Sequence, residues 1–328
     1  MRTFTAAILA TVGAARVLDE LDVAFMNYIA EHGKSYADLE EFNLRFALFS
    51  KFDAEVKHHN ATETTSTHGH NFLSDWTAAE KAALLGLANM PEEPSEPMTD
   101  AVETVGIPTS INWCTSGACN PIQNQGNCGS CWAFSAAAAM ESAHKIQQGS
   151  LYKLSEQNFV SCSSAYGNNG CGGGWYYWAW NYAKVTPVDT EASYPYTSGS
   201  TGTTGACKYV SSAGVGKVTG YGQCGTDTTS IKTCIASQPN SVAIDASTSY
   251  FQSYTGGVLT NAASCGTTLD HAVVAVGYNT TSTGVGYYIV RNSWGTGWGS
   301  NGYVNIGQAA SPGICGINKK VYYVAVAK

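Results

Sequence analysis

The chain has 328 residues, 44% of them apolar and only 12% charged, with a formal net charge of -7. That composition supports a sizeable core and excludes wholesale disorder. No apolar run reaches the ~20 residues of a membrane-spanning helix, and no basic stripe offers a nucleic-acid surface.

Met1 and Arg2 give a short basic start, Phe4 to Val12 is mostly apolar, and Gly13, Ala14 and Ala15 follow. Residues 1–15 therefore read as a secretory signal peptide. A short amphipathic helix is the competing reading, but Arg16, Asp19, Glu20 and Asp22 cut the apolar run off sharply. Residues 1–106 hold 7 basic and 17 acidic side chains, net -10, whereas residues 107–328 hold 10 and 7, net +3. Such a split predicts one part built to sit on another.

Between 19 and 60, apolar Val23, Met26 and Ile29, then Leu44, Leu48, Phe49, Phe52 and Val56, recur at helical spacing. Pro91, Pro94 and Pro97 rule out a regular helix and predict an extended linker, with the domain boundary at 91–107. The main domain opens with a loop rich in Gly, Asn and Cys. A helix is expected over 131–148, stopped by Gly149, with further helices over 155–161 and 175–184. Residues 198–205 read as a flexible Ser/Thr/Gly loop. Beyond 215, short strands are expected at 242–244, 272–276, 287–290 and 303–306. A helical half followed by a strand-rich half is an α+β order, and the cleft between them is the natural place for a site.

All 11 Cys lie after residue 113, and the number is odd. In an oxidising compartment the others pair and at least one is left over. Cys131 opens the first predicted helix of the main domain, where the helix N-terminus stabilises a thiolate. Residues 107–328 hold two His. His144 lies far along the same helix and cannot reach back, so His271 is the candidate base. Asn292 can accept the ring N–H of His271 and fix its tautomer, with Trp294 shielding that bond. Gln125 can donate its amide to a developing oxyanion beside the Cys131 backbone N–H. Blander readings compete. Cys128 and Cys131 could form a redox pair, but the β-α pattern it needs is missing. Zinc would need a second close ligand pair. His271 alone would be an ordinary core histidine, and the aromatic run 175–180 would be core packing.

The run from Gln125 to Ser135, containing Cys128-Gly-Ser-Cys131-Trp, together with Asp270-His271 and Asn292-Ser-Trp-Gly, resembles the papain-like cysteine proteases, and within them the cathepsin L group. Glu41, Arg45, Phe49, Val56 and Asn60 resemble that group's propeptide pattern, with Phe52 where the pattern has Asn. Gly69, Asn71 and Asp75 resemble its second motif, with Leu73 in place of Phe. The resemblance implies a papain-like two-lobed fold, one lobe helical and one an antiparallel β-barrel-like lobe. A mainly helical inhibitory propeptide over 16–106 would precede a peptidase domain over 107–328. It implies disulfides Cys128–Cys171, Cys162–Cys207 and Cys265–Cys315. Cys114–Cys119 and Cys224–Cys234 then remain as two extra bridges, and Cys131 is left free.

By the same resemblance, Gly173 and Gly174 pair with substrate backbone. Trp175, Tyr176, Ala243, Leu269 and Ala272 line the S2 pocket, and Lys320 closes its floor. Gly172 stands where the family has Asn. The implied activity is endopeptidase, with a Cys131 thiolate–His271 imidazolium pair, an apolar P2 preference, acid activation, and no cofactor or metal. Residues 107–328 lack the paired His of a carboxypeptidase-type occluding loop. Implied partners are protein and peptide substrates, the chain's own propeptide and cystatin-like inhibitors, but neither nucleic acid nor membrane. The chain is expected to be a monomer of the secretory pathway, in the lysosome or food vacuole or secreted, with Asn60 and Asn279 as glycan acceptors. A catalytically inactive binding or storage homologue is the alternative. Loss of the nucleophile or base would mark it, and both are present.

Overall fold

The computed structural model describes residues 18–87 and 106–327. The expected signal peptide and most of the expected linker lie outside the described residues.

The N-terminal unit contains helices α1 (Glu20–Glu31) and α2 (Leu39–Thr62). Asp19 and Asp38 cap them, their carboxylates accepting from the N–H of Asp22 and of Glu41, each at 2.9 Å. The single helical stretch expected over 19–60 is thus broken, with Gly33 at φ +59° after the end of α1. The two apolar stripes meet in a small core of Phe25, Tyr28 and Phe49, bordered by Tyr36, Phe42 and Phe46. Asp75 is buried there, and Tyr28 Oη (2.6 Å), Lys34 Nζ (2.7 Å) and Tyr36 Oη (2.8 Å) all donate to it. A buried carboxylate needs such partners. Arg45 binds both oxygens of Glu80, at 2.6 and 2.8 Å, and also the Asp75 carbonyl at 3.0 Å. Phe52 is buried and carries the Lys81 ammonium 4.6 Å above its ring. A strand, β1 (Ser66–His68), and a short helix, α3 (Ala78–Ala82), complete the unit.

The main domain starts with β2 (Ile111–Asn112), α4 (Cys131–Gln148), α5 (Glu156–Cys162), α6 (Tyr176–Val185), β3 (Val188–Asp189), α7 (Ser198–Thr201) and β4 (Gly214–Gly216). Then come β5 (Val218–Gln223), α8 (Thr228–Ser237), β6 (Asn240–Ile244), α9 (Ser249–Gln252) and β7 (Tyr254–Gly257). The chain ends with β8 (His271–Thr280), β9 (Gly286–Arg291), β10 (Tyr303–Gly307) and β11 (Val321–Val326). One antiparallel sheet runs β10-β9-β8-β6-β11-β5, with β2 added on β8. Gly149 ends α4 at φ 78°, as its sequence predicts.

Residues 271–278 of β8 are all buried, because both faces of the strand are covered. Val273, Ala275 and Tyr278 join a strand-side core with Ile235, Phe251 and Trp298. Ala272 joins a helix-side core with Trp132, Met140 and Trp180. The small residues of α4 let it lie close on the sheet, where Ser135 Oγ donates to the Val273 carbonyl at 2.8 Å. Five disulfides join the Cys pairs named above and leave Cys131 free and buried.

One expectation is corrected. Residues 198–205 are not a loose loop, because Gln157 Nε2 donates to Ser198 Oγ (2.8 Å) and to the Thr204 carbonyl (3.0 Å). The Asn127 N–H also donates to the Gly199 carbonyl at 2.8 Å. Composition suggested flexibility, but hydrogen bonds to a buried glutamine fix the segment.

The N-terminal unit sits on the main domain. β1 pairs antiparallel with β7. Asn71 Nδ2 donates to the Gln252 carbonyl at 2.8 Å, and Leu73 enters the strand-side core. The ion pairs Lys34–Asp75, Arg45–Glu80 and Lys57–Asp53, and the His70–Asp53 hydrogen bond, lie within the N-terminal unit. Strand pairing, neutral hydrogen bonds and packing therefore carry much of this interface, although the net charges are opposite.

Candidate active site

Two elements place the reactive groups. Cys131 is the first residue of α4, and its N-cap Ser130 makes no side-chain capping bond. His271 is the first residue of β8. In the β6–β8 register His271 faces Ile244 and Ala272 faces Ala243. The β8–β9 register sets Val274 opposite Arg291, so the chain leaving β9 passes beside His271. There His271 Nε2 lies 2.7 Å from Asn292 Oδ1. The Ser293 N–H donates to the same oxygen at 2.8 Å. An oxygen can only accept, so Nε2 carries the proton and Nδ1 is left as the basic nitrogen. The Ala272 N–H donates to Cys131 Sγ at 3.4 Å, which seats the thiol beside the histidine.

Trp294 lies against His271 with ring centroids 4.8 Å apart and is buried among Phe251 and Trp298. It covers the ring from the core side. Ser293 Oγ donates to Gln125 Oε1 at 2.7 Å, which aims the Gln125 amide nitrogen outward.

Residues 84–87 of the N-terminal unit run through this cleft. Gln125 Nε2 donates to the Leu84 carbonyl at 2.9 Å. The Gly86 backbone hydrogen-bonds to the Cys131 thiol. The Gly174 N–H donates to the Gly86 carbonyl at 2.9 Å, and the Leu87 N–H to the Asp270 carbonyl at 3.1 Å. Leu87 pairs in parallel with Gly174 and packs on the cluster holding Trp175, Tyr176, Ala243 and Ala272, against which Leu269 also packs.

The loop glycines have distinct tasks. A Cβ on Gly174 would collide with Asn168 Oδ1, which is already taken by the Trp175 N–H at 2.8 Å. Gly173 does not face the strap, since its carbonyl accepts from the Asn169 N–H at 2.8 Å. A Cβ on Gly172 would meet the Asn169 amide nitrogen at 2.5 Å, so Asn169 fills the space next to this unusual glycine. Lys320 contributes its backbone carbonyl, which accepts from Tyr176 Oη (3.0 Å) and from the Ala243 N–H (3.1 Å).

Under the strap both reactive groups are neutral. Burial pushes the Cys131 thiol up to about 11, against backbone hydrogen bonds that favour the thiolate. Burial takes His271 down to about 4, although the bond to Asn292 favours its charged form. In this covered state burial thus works against the expected thiolate–imidazolium pair. The helix N-terminus is in place, but without solvent it does not ionise the thiol.

Sequence reasoning missed the strap, Ser293 and the Asp270 carbonyl. The strap's signal was the apolar run Leu84-Leu85-Gly86-Leu87 just before the proline-rich stretch.

Residues 107–325 match the family described as papain family cysteine protease, and residues 25–80 match the cathepsin propeptide inhibitor domain. The chain is 38% identical to germination-specific cysteine protease 1 of Arabidopsis thaliana, over 95% of this chain and 86% of that one. It is 34% identical to cathepsin L of Sarcophaga peregrina, over 99% and 100%. The structure of a recombinant stem bromelain precursor superposes with a TM-score of 0.82 at 34% identity, covering 94% of this chain and 100% of that one.

The close approach of Gly86 to Gly129 generates a prediction, since a Cβ on Gly86 would fall on the Gly129 carbonyl. Overpacking against backbone costs about 1–3 kcal/mol. Gly86→Ala should therefore unseat the strap and raise the rate of Cys131 alkylation by iodoacetamide about tenfold, followed by mass spectrometry. Alkylation as slow as in the parent precursor would show that the strap tolerates the methyl group.

Proposed function

The chain belongs to the papain family of cysteine proteases and carries its propeptide, and on that premise we propose that it is the inactive precursor of a cathepsin L-type cysteine endopeptidase. The observation that carries this reading is the Cys131–His271–Asn292 arrangement lying under a strap from the same chain. Once the strap leaves, water and substrate reach the cleft and the thiol can pass its proton to His271 Nδ1. The thiolate attacks the substrate carbonyl carbon. The Gln125 amide, now bound to the Leu84 carbonyl, and the Cys131 N–H hold the oxyanion. The imidazolium protonates the leaving amine. Water, deprotonated by His271, then hydrolyses the thioester and frees the thiol.

Cys131→Ala tests the assignment directly. The variant should secrete and form its five disulfides, yet neither mature itself nor cleave peptides after external removal of the propeptide. Peptide hydrolysis above a trace would remove Cys131 as the nucleophile. A catalytically silent parent enzyme would instead point to the binding-protein alternative.

Leu87 on the Trp175–Ala243–Ala272 cluster supports an apolar P2 preference, because burying such a side chain is worth about 1.5–3 kcal/mol. Lys320 adds a variation. Its stem can line the pocket while the ammonium stays hydrated. A peptide library cut by the mature enzyme should show Leu, Val or Phe at P2, with some Glu. Lys320→Ala should lower the Glu-to-Leu ratio of kcat/KM, and an unchanged ratio would show that this side chain does not reach S2.

The proposed activation signal is acid. Glu80 is held at about 2 by the Arg45 hydrogen bonds, so its stabilisation is full above about 4.5 and is lost as pH falls from there toward about 2. The histidines at the interface behave differently. His68 and His59 lie 5.0 Å apart and pack on Tyr250. They contact Ser253 Oγ (3.0 Å) and Ser249 Oγ (3.1 Å). His58, Glu55 and Glu63 are the charged groups around His59. Burial takes His68 from 6.5 down to about 4 and also lowers His59. The released state then binds more protons, so interface stability is full above about 6.5 and drains as pH falls toward about 4. Precursor conversion should accelerate through that window, and His68→Gln should flatten the profile. A His68→Gln precursor that keeps the parent's pH profile would move the sensor elsewhere.

The expected signal peptide and the disulfides support a secretory destination, with cleavage proposed near Ile107. Asn60 and Asn279 are both exposed, but the Asn60 amide is tied to the His68 backbone at 2.8 and 2.9 Å, so Asn279 is the better glycan acceptor.

A further inference from the structure

We propose that Glu156 is a positioning residue for Asn292, acting through one water held in a cavity between α4, α5 and the β8–β9 pair. The proposal rests on the reading that Asn292 orients His271.

Asn292 uses its amide oxygen twice, for His271 Nε2 and for the Ser293 N–H. Its amide nitrogen is buried and has no hydrogen-bond partner among the described residues. Arg291 is in the same state on one side. One guanidinium nitrogen donates to the Pro121 carbonyl at 2.7 Å, while Nη1 is buried without a partner. Asn292, Arg291 and Glu156 are 3%, 5% and 2% exposed, so none of these groups has bulk water to turn to. Leaving such a donor unmet is costly.

All three residues line one cavity of about 10 Å³, and Glu156 is the one carboxylate on its wall. That volume suits about one water molecule, provided it finds two to four polar partners. The two hydroxyls on the wall are committed, Ser135 Oγ to the Val273 carbonyl and Ser293 Oγ to Gln125 Oε1. A water there accepts from Asn292 Nδ2 and Arg291 Nη1 and donates to the Glu156 carboxylate. Lys153 holds that carboxylate at 2.6 and 2.7 Å and is itself 3.5 Å from Glu141.

The consequence concerns which way the Asn292 amide faces. Flipped by 180°, it would aim N–H groups at His271 Nε2 and force the ring proton onto Nδ1, the nitrogen that must act as base. An acceptor anchored on the far side of Asn292 favours the productive orientation. Glu156 never touches substrate; it sets the tautomer of the residue that does the proton transfer.

The test compares two variants of nearly equal shape in the mature enzyme. Glu156→Gln and Glu156→Met both lose the charge and the Lys153 ion pair, but only Gln keeps an acceptor oxygen. Losing one hydrogen bond predicts about three- to tenfold lower kcat for Met with KM unchanged, and near-parent kcat for Gln. In an Asn292→Ala background the difference between Met and Gln should vanish. Equal kcat for the two variants, beside an impaired Asn292→Ala enzyme, would overturn this proposal alone. A difference that survives in Asn292→Ala would do the same. Full activity of Asn292→Ala by itself would overturn the role of Asn292 and the proposal with it. If the Met variant does not mature, a high-resolution crystal structure of the inhibitor-blocked parent enzyme decides. It should contain a water bonded to both Asn292 Nδ2 and Glu156, and a cavity without that bridge would overturn the proposal.

Discussion

The antiparallel register of β8 against β6 and β9 is the constraint on which the site depends. A strand's side chains alternate with a period of two, so a slip by one residue would turn His271 and Ala272 each to the face opposite its present one. The observed pairing sets Ala272 against Ala243 at the pocket and brings Asn292 beside His271. Because β8 is buried on both faces, each face is matched to a different core, and a slip would disturb both at once. The nucleophile then needs only to arrive at the right height, and α4 achieves that by lying on the sheet through its small residues.

The strap adds a second layer of control through solvent. It occupies the Gln125 amide and the Gly174 N–H, the groups proposed to receive substrate, and it buries the thiol and the imidazole. Inhibition is thus both steric and electrostatic. Burial under the strap opposes ionisation of the pair, even though every side chain already stands in position.

Much of this was legible from residues alone. Cys131 at a helix start, His271 at a strand start and Asn292 before Ser-Trp-Gly stand together as the motif order implies. The five cysteine pairs also agree with the resemblance. What the sequence could not convey was long-range geometry. Nothing local to Gly86 says that its backbone will rest on Gly129, or that Gly173 will turn its carbonyl inward while Gly174 faces outward. Trp294 was placed near the histidine, but only packing reveals that it covers the ring from the core. The segment 198–205 misled for a related reason, since its composition is that of a loop and its order comes from Gln157, about 40 residues earlier. The protonation state was the furthest from view, because it depends on what covers the site and not on the site's own residues.

The N-terminal unit has its own core around Phe25, Tyr28 and Phe49 and its own buried carboxylate network at Asp75, so that part of it is built independently of the surface it covers, while β1, Asn71 and Leu73 lean on the main domain. That independence has a consequence in mass action. While the two parts share one chain, the strap faces its cleft at an effective concentration set by their covalent connection and not by the amount of protein present. A single cut between residues 87 and 107 abolishes that figure and replaces it with the actual concentration of the freed piece. Rebinding of the freed piece then competes with diffusion. Dilution alone can then separate the two parts, and a crowded, closed compartment would hold them together longer than an open one.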